Sequence, residues 1–416
     1  MKKTLKDYFI VLFGSGMGRA IALVNSIVIA RCLGVESFGR FSIFYVLMII
    51  IWQFPQSFDV TYVRYAKTVN SKEEKNDFLK SAVFLKLLYS GVMLCISIPL
   101  ASFLARYCFN KPDIQALLVY SIISGVFLSF LFTVASIFQE KEKFIEYSIL
   151  NAIYTISIFL ACLLVPCFRI ELTLNIVVVI YLVTTVLLGI VSILLLFKKT
   201  GWIFPLNINV FKRSFSLGKW IFGVTVASFI FQRLDVFFLA RYVDFRTIGL
   251  YSAAVQMIMA ISLMTGSLNG ISLPKASEAI RSKKTLRKYI KESIVTTILI
   301  NCAIVVLIII SPSCLKLLYG RAYLAVAPAL RILLIGWMFA VLYVPFSSLF
   351  YAIEDSRTRF FVEASKIMLG ALLLNYLIPR YGVMGAAFAM SFTLFLNTCI
   401  SLMILKYRFS KLVISN

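Results

Sequence analysis

Residues 177–197, VVVIYLVTTVLLGIVSILLLF, run apolar from end to end without a single charge. A helix rises ~1.5 Å per residue, so a run of this length reaches across the ~30 Å hydrocarbon slab of a bilayer. In hydrocarbon every backbone N–H and C=O needs a partner within the protein, which leaves helices or a closed barrel as spanning structures. Barrel strands alternate apolar and polar residues over about ten positions, and this run does not alternate. The same reading applies along the whole chain. Apolar stretches at 8–30, 39–62, 81–105, 114–138, 147–168, 174–197, 219–241, 248–272, 292–318, 325–350, 360–379 and 383–405 predict about twelve transmembrane helices. Composition agrees: 61% of the 416 residues are apolar and 14% charged, against roughly 45–50% and 25% in soluble domains. The expected fold class is all-α integral membrane.

The N-terminal MKKTLKDYF has the look of a signal sequence. The apolar run after it is long and lacks a small-residue cleavage site, so 8–30 reads as the first permanent helix. Histidine is absent, which removes the commonest general base and the commonest transition-metal ligand. The eight cysteines (32, 95, 108, 162, 167, 302, 314 and 399) show no C-x-x-C pair and read as small buried hydrophobes. The segments between spans are short and leave no soluble domain for an active site. No enzyme, metal site or cofactor is expected.

Basic residues alternate between the loops. The two chain ends and the even-numbered loops hold or flank 27 of the 42 lysines and arginines, the odd-numbered loops 10. Basic loops stay in the cytoplasm, so both termini are expected there. The net charge of +24 is then mostly a topology signal that also favours contact with anionic membrane lipids. Nucleic-acid binding is not expected, because the basic residues sit in short separated loops rather than along one face.

An internal repeat organises the chain. Segment 29–42, IARCLGVESFGRFS, aligns with 239–252, LARYVDFRTIGLYS, at an offset of 210 residues. Ala30, Arg31, Gly39 and Ser42 meet Ala240, Arg241, Gly249 and Ser252, and both segments join the first two helices of a half. A weaker echo pairs SIFQEKEKF (136–144) with SLFYAIEDS (348–356), each just after the fourth helix of a half. The expected domains are a six-helix half at 1–205 and another at 206–416. An even number of crossings inserts the halves in parallel, the arrangement by which many transporters place a central cavity between two rocking bodies.

The stretch ARCLGVESFGRFSIF (30–44) resembles the A-R-x-L-G-x-x-x-F-G-x-[FY]-[SA] hallmark of polysaccharide flippases in the multidrug/oligosaccharidyl-lipid/polysaccharide exporter superfamily, the Wzx-type O-antigen flippases above all. DVTYVRYAK (59–67), LLYGRAYLAVAPALRIL (317–333) and YGVMGAAFAM (381–390) add to the likeness, which runs along the whole chain. The second copy of the hallmark departs from it, with Asp244 and Phe245 where the first has Gly34 and Val35. The resemblance implies a MATE-like fold and the flipping of undecaprenyl-diphosphate-linked oligosaccharide to the periplasmic leaflet of a bacterial inner membrane. It implies a monomer, with other polysaccharide-assembly proteins as candidate partners.

Such a substrate sets a physical specification. An anionic diphosphate-sugar head must cross a low-dielectric slab, which calls for a wet cationic cavity. Arginine suits it, being permanently charged and able to fork onto phosphate. Arg19 lies near the middle of the first span and reads either as cavity-lining or as one partner of an internal ion pair, for instance with Asp59. Gly14 and Gly18 beside it read as a close-packing G-x-x-x-G. Arg233 and Asp235 fall inside the seventh span, about 200° apart around a helix. Arg233 is a second cavity candidate, and Asp235 either lines the cavity or pairs with another basic residue. Gln53, Gln56 and Asp59 form a polar stripe at i, i+3, i+6, facing a wet lumen or fraying at a helix end. Pro55 in the same helix frees a carbonyl within the membrane. Lys86 is a cavity candidate that snorkelling to the surface would also explain. Arg331, Glu363 and Lys366 lie near span ends, and Arg31 and Arg241 read as anchors or interdomain pairs rather than substrate ligands.

Other functions would make different demands on the sequence. An oligosaccharide polymerase or ligase would want a large periplasmic loop. A cation-coupled multidrug exporter would want interior carboxylates rather than arginines. A major facilitator sugar transporter would want a glycine-bearing basic motif in RYAKTVNSKEEKNDFLK (64–80), which has no glycine. Lipid II flippases are closer kin but usually have more helices. The topology is testable by reporter fusions. Those after residues 70, 207 and 283 should read cytoplasmic, and those after 35, 110, 244 and 322 periplasmic. A periplasmic signal at 283, where seven basic residues cluster, would overturn the helix count.

Overall fold

A computed structural model describes residues 2–66, 71–201, 222–279, 282–352 and 356–414, and among these every regular element is helical. The helices are α1 (Lys2–Ala66), α2 (Lys72–Cys95), α3 (Ser97–Phe103), α4 (Gln115–Glu140), α5 (Phe144–Cys167) and α6 (Leu174–Thr200). They continue with α7 (Phe222–Phe231), then α8 (Leu234–Tyr242), α9 (Phe245–Ala279), α10 (Lys283–Leu318), α11 (Ala327–Ala352) and α12 (Ser356–Ile414). The chain divides into two compact units, Met1–Arg233 and Leu234–Asn416. The boundary expected at 205/206 lies outside the described residues.

Among the described residues, eight helices are long and apolar enough to cross a membrane, or nine if α7 and α8 count as one span. Two of the eight, the Gly16–Val63 and Arg357–Tyr407 stretches of 48 and 51 residues, are each about twice what a bilayer needs. Both are broken at a glycine outside the helical region, Gly34 at φ 73° and Gly382 at φ 53°. The expected count of twelve therefore depends on reading each as two spans, on counting α7 and α8 as one span, and on counting α9.

Within the first unit α4 is the central helix, packed on both α1 and α6 and flanked by α5. Small residues such as Gly125 stand at its contacts, because backbones must approach closely when lipid supplies no drive for helix association. A Cβ on Gly125 would come within 2.7 Å of the Ile51 Cβ of α1. Several of its buried hydroxyls bond inside the helix, Ser129 donating to Val126 O at 2.7 Å and Ser136 to Thr133 O at 2.7 Å. In the second unit α11 is the corresponding helix, packed on α9, α10 and α12. Side chains such as Val183, Leu187, Ile190 and Leu194 of α6 are exposed, the pattern of a lipid-facing surface. The cysteines depart from expectation: only Cys162 is buried, while Cys32, Cys95, Cys167 and Cys302 are exposed. A thiol tolerates hydrocarbon as well as a core, so burial is not required of it.

The repeat is structural. Every residue of 25–40 is buried, half-buried or exposed just as its counterpart in 235–250 is. The departure between the copies falls on the helix break. In the first copy Gly34 turns the chain with a positive φ and open space around it. In the second, Asp244 stands between α8 and α9 and its Oδ1 accepts from Thr247 N at 3.2 Å, an N-cap. One break is made by backbone freedom and the other by a capping side chain. Gly34→Ala should therefore cost about 1–2 kcal/mol through φ alone, and Asp244→Ala about 0.5–2 kcal/mol through the lost cap. Thermal unfolding of the detergent-purified variants measures both, and unchanged stability in Gly34→Ala would remove the backbone account.

Candidate functional site

Pro55 cannot donate to Ile51 O, four residues back. In the structure Tyr89 of α2 donates its hydroxyl to that carbonyl at 2.9 Å, so the gap in α1 is closed by a neighbouring helix. One turn further on, Asp59 meets Lys86. The Lys86 Nζ lies 2.6 Å from Asp59 Oδ2, with side-chain exposures of 0% and 4%. The same ammonium donates to Ser129 O at 3.0 Å and to Thr133 Oγ1, both on α4. Three helices thus converge on one buried cation. Asp59 Oδ1 has no hydrogen-bond partner among the described residues. Lys86 does not snorkel: from its place on α2 the stem leads inward to Asp59, and the attraction of a buried carboxylate outweighs a path to the surface. Gln53 and Gln56 are half-buried on the same limb of α1, which Phe54 and Phe58 pack against Phe222 of α7 at ring separations of 5.4 and 5.6 Å.

Arg19 is on the other side of α1, against α5. Gly18 packs on Ala152, 3.7 Å from where its Cβ would be, and Gly14 lies among the side chains outside the described set. Arg19 is exposed, with Tyr147 of α5 within electrostatic reach. Among the described residues it has no carboxylate partner, and Asp59 is taken by Lys86. Deeper along the same helices Asn25 Nδ2 donates to Tyr181 OH at 3.2 Å. The Tyr181 ring is edge-on to Phe41, Phe44, Tyr45 and Tyr154 at 5.2 to 6.4 Å. Arg233, buried at the turn that ends α7, has Tyr45 within electrostatic reach.

In the second unit Asp235 accepts from Tyr251 OH at 2.7 Å and from Val236 N at 2.8 Å, in the first turn of α8 where a carboxylate is favoured. At the offset of 210, Asp235 is the counterpart of Asn25 and Tyr251 of Phe41. Both copies therefore bury a polar side chain at this level and answer it with a tyrosine hydroxyl. Glu363 is buried in an ion pair with Lys366. Arg31 and Arg241 are both exposed. No three side chains among His, Cys, Asp and Glu come together to hold a metal among the described residues.

Of the residues singled out in the sequence, Asp59 and Lys86 share one network and Arg19 stands apart from it. Sequence reasoning missed Ser129, Thr133, Asn25, Tyr147, Tyr154 and Tyr181. Asn25 had a readable signal in its register with Asp235. Ser129 and Thr133 had none, since hydroxyls on an apolar helix look like packing residues.

The family described as "Polysaccharide biosynthesis protein" matches residues 4–279, and the chain belongs to it. A Shigella flexneri protein whose name assigns it O-antigen transport is 24% identical over 192 residues, 45% of this chain and 46% of that protein. An uncharacterized membrane protein of Methanocaldococcus jannaschii is 25% identical over 196 residues, 45% of this chain and 38% of that one. The matches thus span less than half the length of either relative. Among solved structures, the lipid II flippase MurJ in an inward closed conformation superposes with a TM-score of 0.78 at 20% identity, over 96% of this chain and 87% of that one. An inward-facing MATE family transporter of the MOP superfamily gives 0.77 at 12% identity, over 97% and 98%. These likenesses show the fold, an all-α, MATE-like membrane architecture.

The Asp59–Lys86 pair predicts a defined pattern of stability. Lys86→Met or Asp59→Leu alone strands a buried charge and should lower unfolding stability by about 3–5 kcal/mol. The double variant should recover most of the loss. Unfolding of detergent-purified protein reads this out, and a double variant no better than the worse single one would show that the pair is not what is lost.

Proposed function

We propose that this family member flips undecaprenyl-diphosphate-linked oligosaccharide, an O-antigen-type repeat unit, from the cytoplasmic to the periplasmic leaflet by alternating access. It does so as a transporter rather than an enzyme, in the bacterial inner membrane with both termini cytoplasmic. The six-helix halves 1–205 and 206–416 are its two moving bodies. The family match and the relative named for O-antigen transport support this reading.

The observation that carries it is the pairing of charges. An arginine within an apolar span is costly unless it meets a partner or water. The internal partner that would make Arg19 structural, Asp59, is occupied by Lys86, and Arg19 is exposed. A permanent cation with forked donors at such a place fits a diphosphate. The interior carboxylates argue in the same direction. Asp59 and Glu363 are each neutralised by a lysine, so neither offers its charge to a drug cation. Arg233, Gln53 and Gln56 are further cavity-lining candidates.

Arg19→Ala should lower glycan export about tenfold, since a hydrogen bond to a charged group contributes roughly 1.5–3 kcal/mol. Lysine should restore part of the activity, keeping charge without the fork, and glutamate should be worse than alanine. The measurement is periplasmic glycan display divided by membrane protein level. Normal display by Arg19→Glu at normal abundance would sink the cationic role of this residue.

A further inference from the structure

Beginning beside Arg19, α5 carries Tyr147, Asn151 and Tyr154 at i, i+4 and i+7, which stacks them along one face of the helix. All three are half-buried, whereas Ile145, Ile149, Leu160 and Leu163 of the same helix are exposed. The helix thus has a lipid-facing apolar side and a distinct neutral polar side. Seven residues rise about 10 Å, so the two tyrosines and the amide between them form a strip that two linked sugar rings could cover. Asn151 Nδ2 donates to Tyr147 O at 2.8 Å, which anchors the amide in place.

The repeat supplies a comparison within the molecule. Helix α12 begins at Ser356 as α5 begins at Phe144, the offset of 212 seen in the weaker echo. The counterparts of Tyr147, Asn151 and Tyr154 are Arg359, Glu363 and Lys366. There Glu363 pairs with Lys366, and Arg359 Nη1 donates to the Ser347 backbone carbonyl of α11 at 3.5 Å. Polar faces in a membrane helix are costly and are kept for a use. This face is polar in both copies, but the second copy is charged, with Glu363 and Lys366 paired to each other. The first is uncharged, aromatic and hydroxyl-bearing. Ring faces of tyrosine present apolar area with a polar tip, which matches sugar rings with apolar C–H faces and hydroxyl rims. A neutral strip running away from a fixed cation has the polarity order of a lipid diphosphate followed by its first sugars.

We infer that the Tyr147–Asn151–Tyr154 face of α5 holds the sugar residues next to the diphosphate, with the diphosphate toward Arg19. The inference rests on the flippase reading and adds the part of the substrate that this face touches. These three residues are then determinants of glycan specificity.

The test is binding to the purified full chain in nanodiscs of two probes, farnesyl diphosphate and the same lipid diphosphate carrying an N-acetylglucosamine disaccharide. The wild type should bind the sugar-bearing probe more tightly. Tyr147→Ala with Tyr154→Ala should weaken that probe about tenfold and leave the sugar-free probe within about twofold. Tyr147→Phe with Tyr154→Phe, which keeps both rings, should retain most of the gain from sugar. Asn151→Leu, of matched size, should weaken only the sugar-bearing probe, and it carries the test if the alanine pair does not fold. Equal weakening of both probes, no effect on either, or a wild type that gains nothing from the disaccharide would each overturn the inference while leaving the diphosphate reading intact. Arg19→Ala should weaken both probes. Failure of the wild type to bind either probe, or indifference of both to Arg19→Ala, would bring down the flippase reading and this inference with it.

Discussion

The ammonium of Lys86, enclosed by Asp59, Ser129 and Thr133, is the interaction on which the rest of the first unit turns. It gathers α1, α2 and α4 at one point in a region where an unpaired charge would be very costly. The pair adds little to stability relative to a well-packed apolar alternative, but breaking it on one side leaves a naked ion. It therefore acts as a register pin, holding α2 and the second limb of α1 against the central helix. It has a second effect through elimination. By occupying the carboxylate of α1, Lys86 leaves Arg19 on the same helix without its nearest sequence-predicted counter-ion.

The bilayer constraint is visible at each irregularity. Pro55 deprives Ile51 of its helix donor, and Tyr89 supplies a replacement. Buried serines and threonines of α4 return their hydroxyls to their own helix. The break in α1 sits at Gly34, where positive φ is easy for glycine, and the matching break before α9 is capped by Asp244. At each of these places the sequence provides a partner within a few residues or on the adjacent helix.

The fold was legible because continuous apolar length is a direct demand of the solvent. The repeat was legible because both copies must break the helix at the same place. The candidate site was legible only in part. Arg19, Asp59, Arg233 and Lys86 stood out as charges in apolar runs, which is a local signal. That Lys86 reaches Asp59 rather than the surface was not legible, because the choice depends on α4 supplying Ser129 and Thr133, 43 and 47 residues away. The cysteines misled for a related reason. Residue type alone points to burial, whereas in a membrane protein the apolar exterior competes for the same side chains.

The duplication also shows which part of the sequence answers to fold and which to chemistry. Over 25–40 and 235–250 the degree of burial is the same residue by residue, although few identities survive. Packing thus fixes where each position lies and leaves its chemistry free within that place. Asn25 and Asp235 occupy one such position, both buried and both bonded to a tyrosine hydroxyl, one neutral and one acidic. Tyr147 and Arg359, and Tyr154 and Lys366, occupy two more, half-buried in both copies; between them Asn151 is half-buried and Glu363 buried. A gene duplication starts with equal halves, so a divergence confined to polar identity on a retained polar face cannot come from the fold's demands, which both copies meet. It must come from something the two faces meet differently, and on the proposed flippase reading the uncharged face of the first copy is the one that meets sugar.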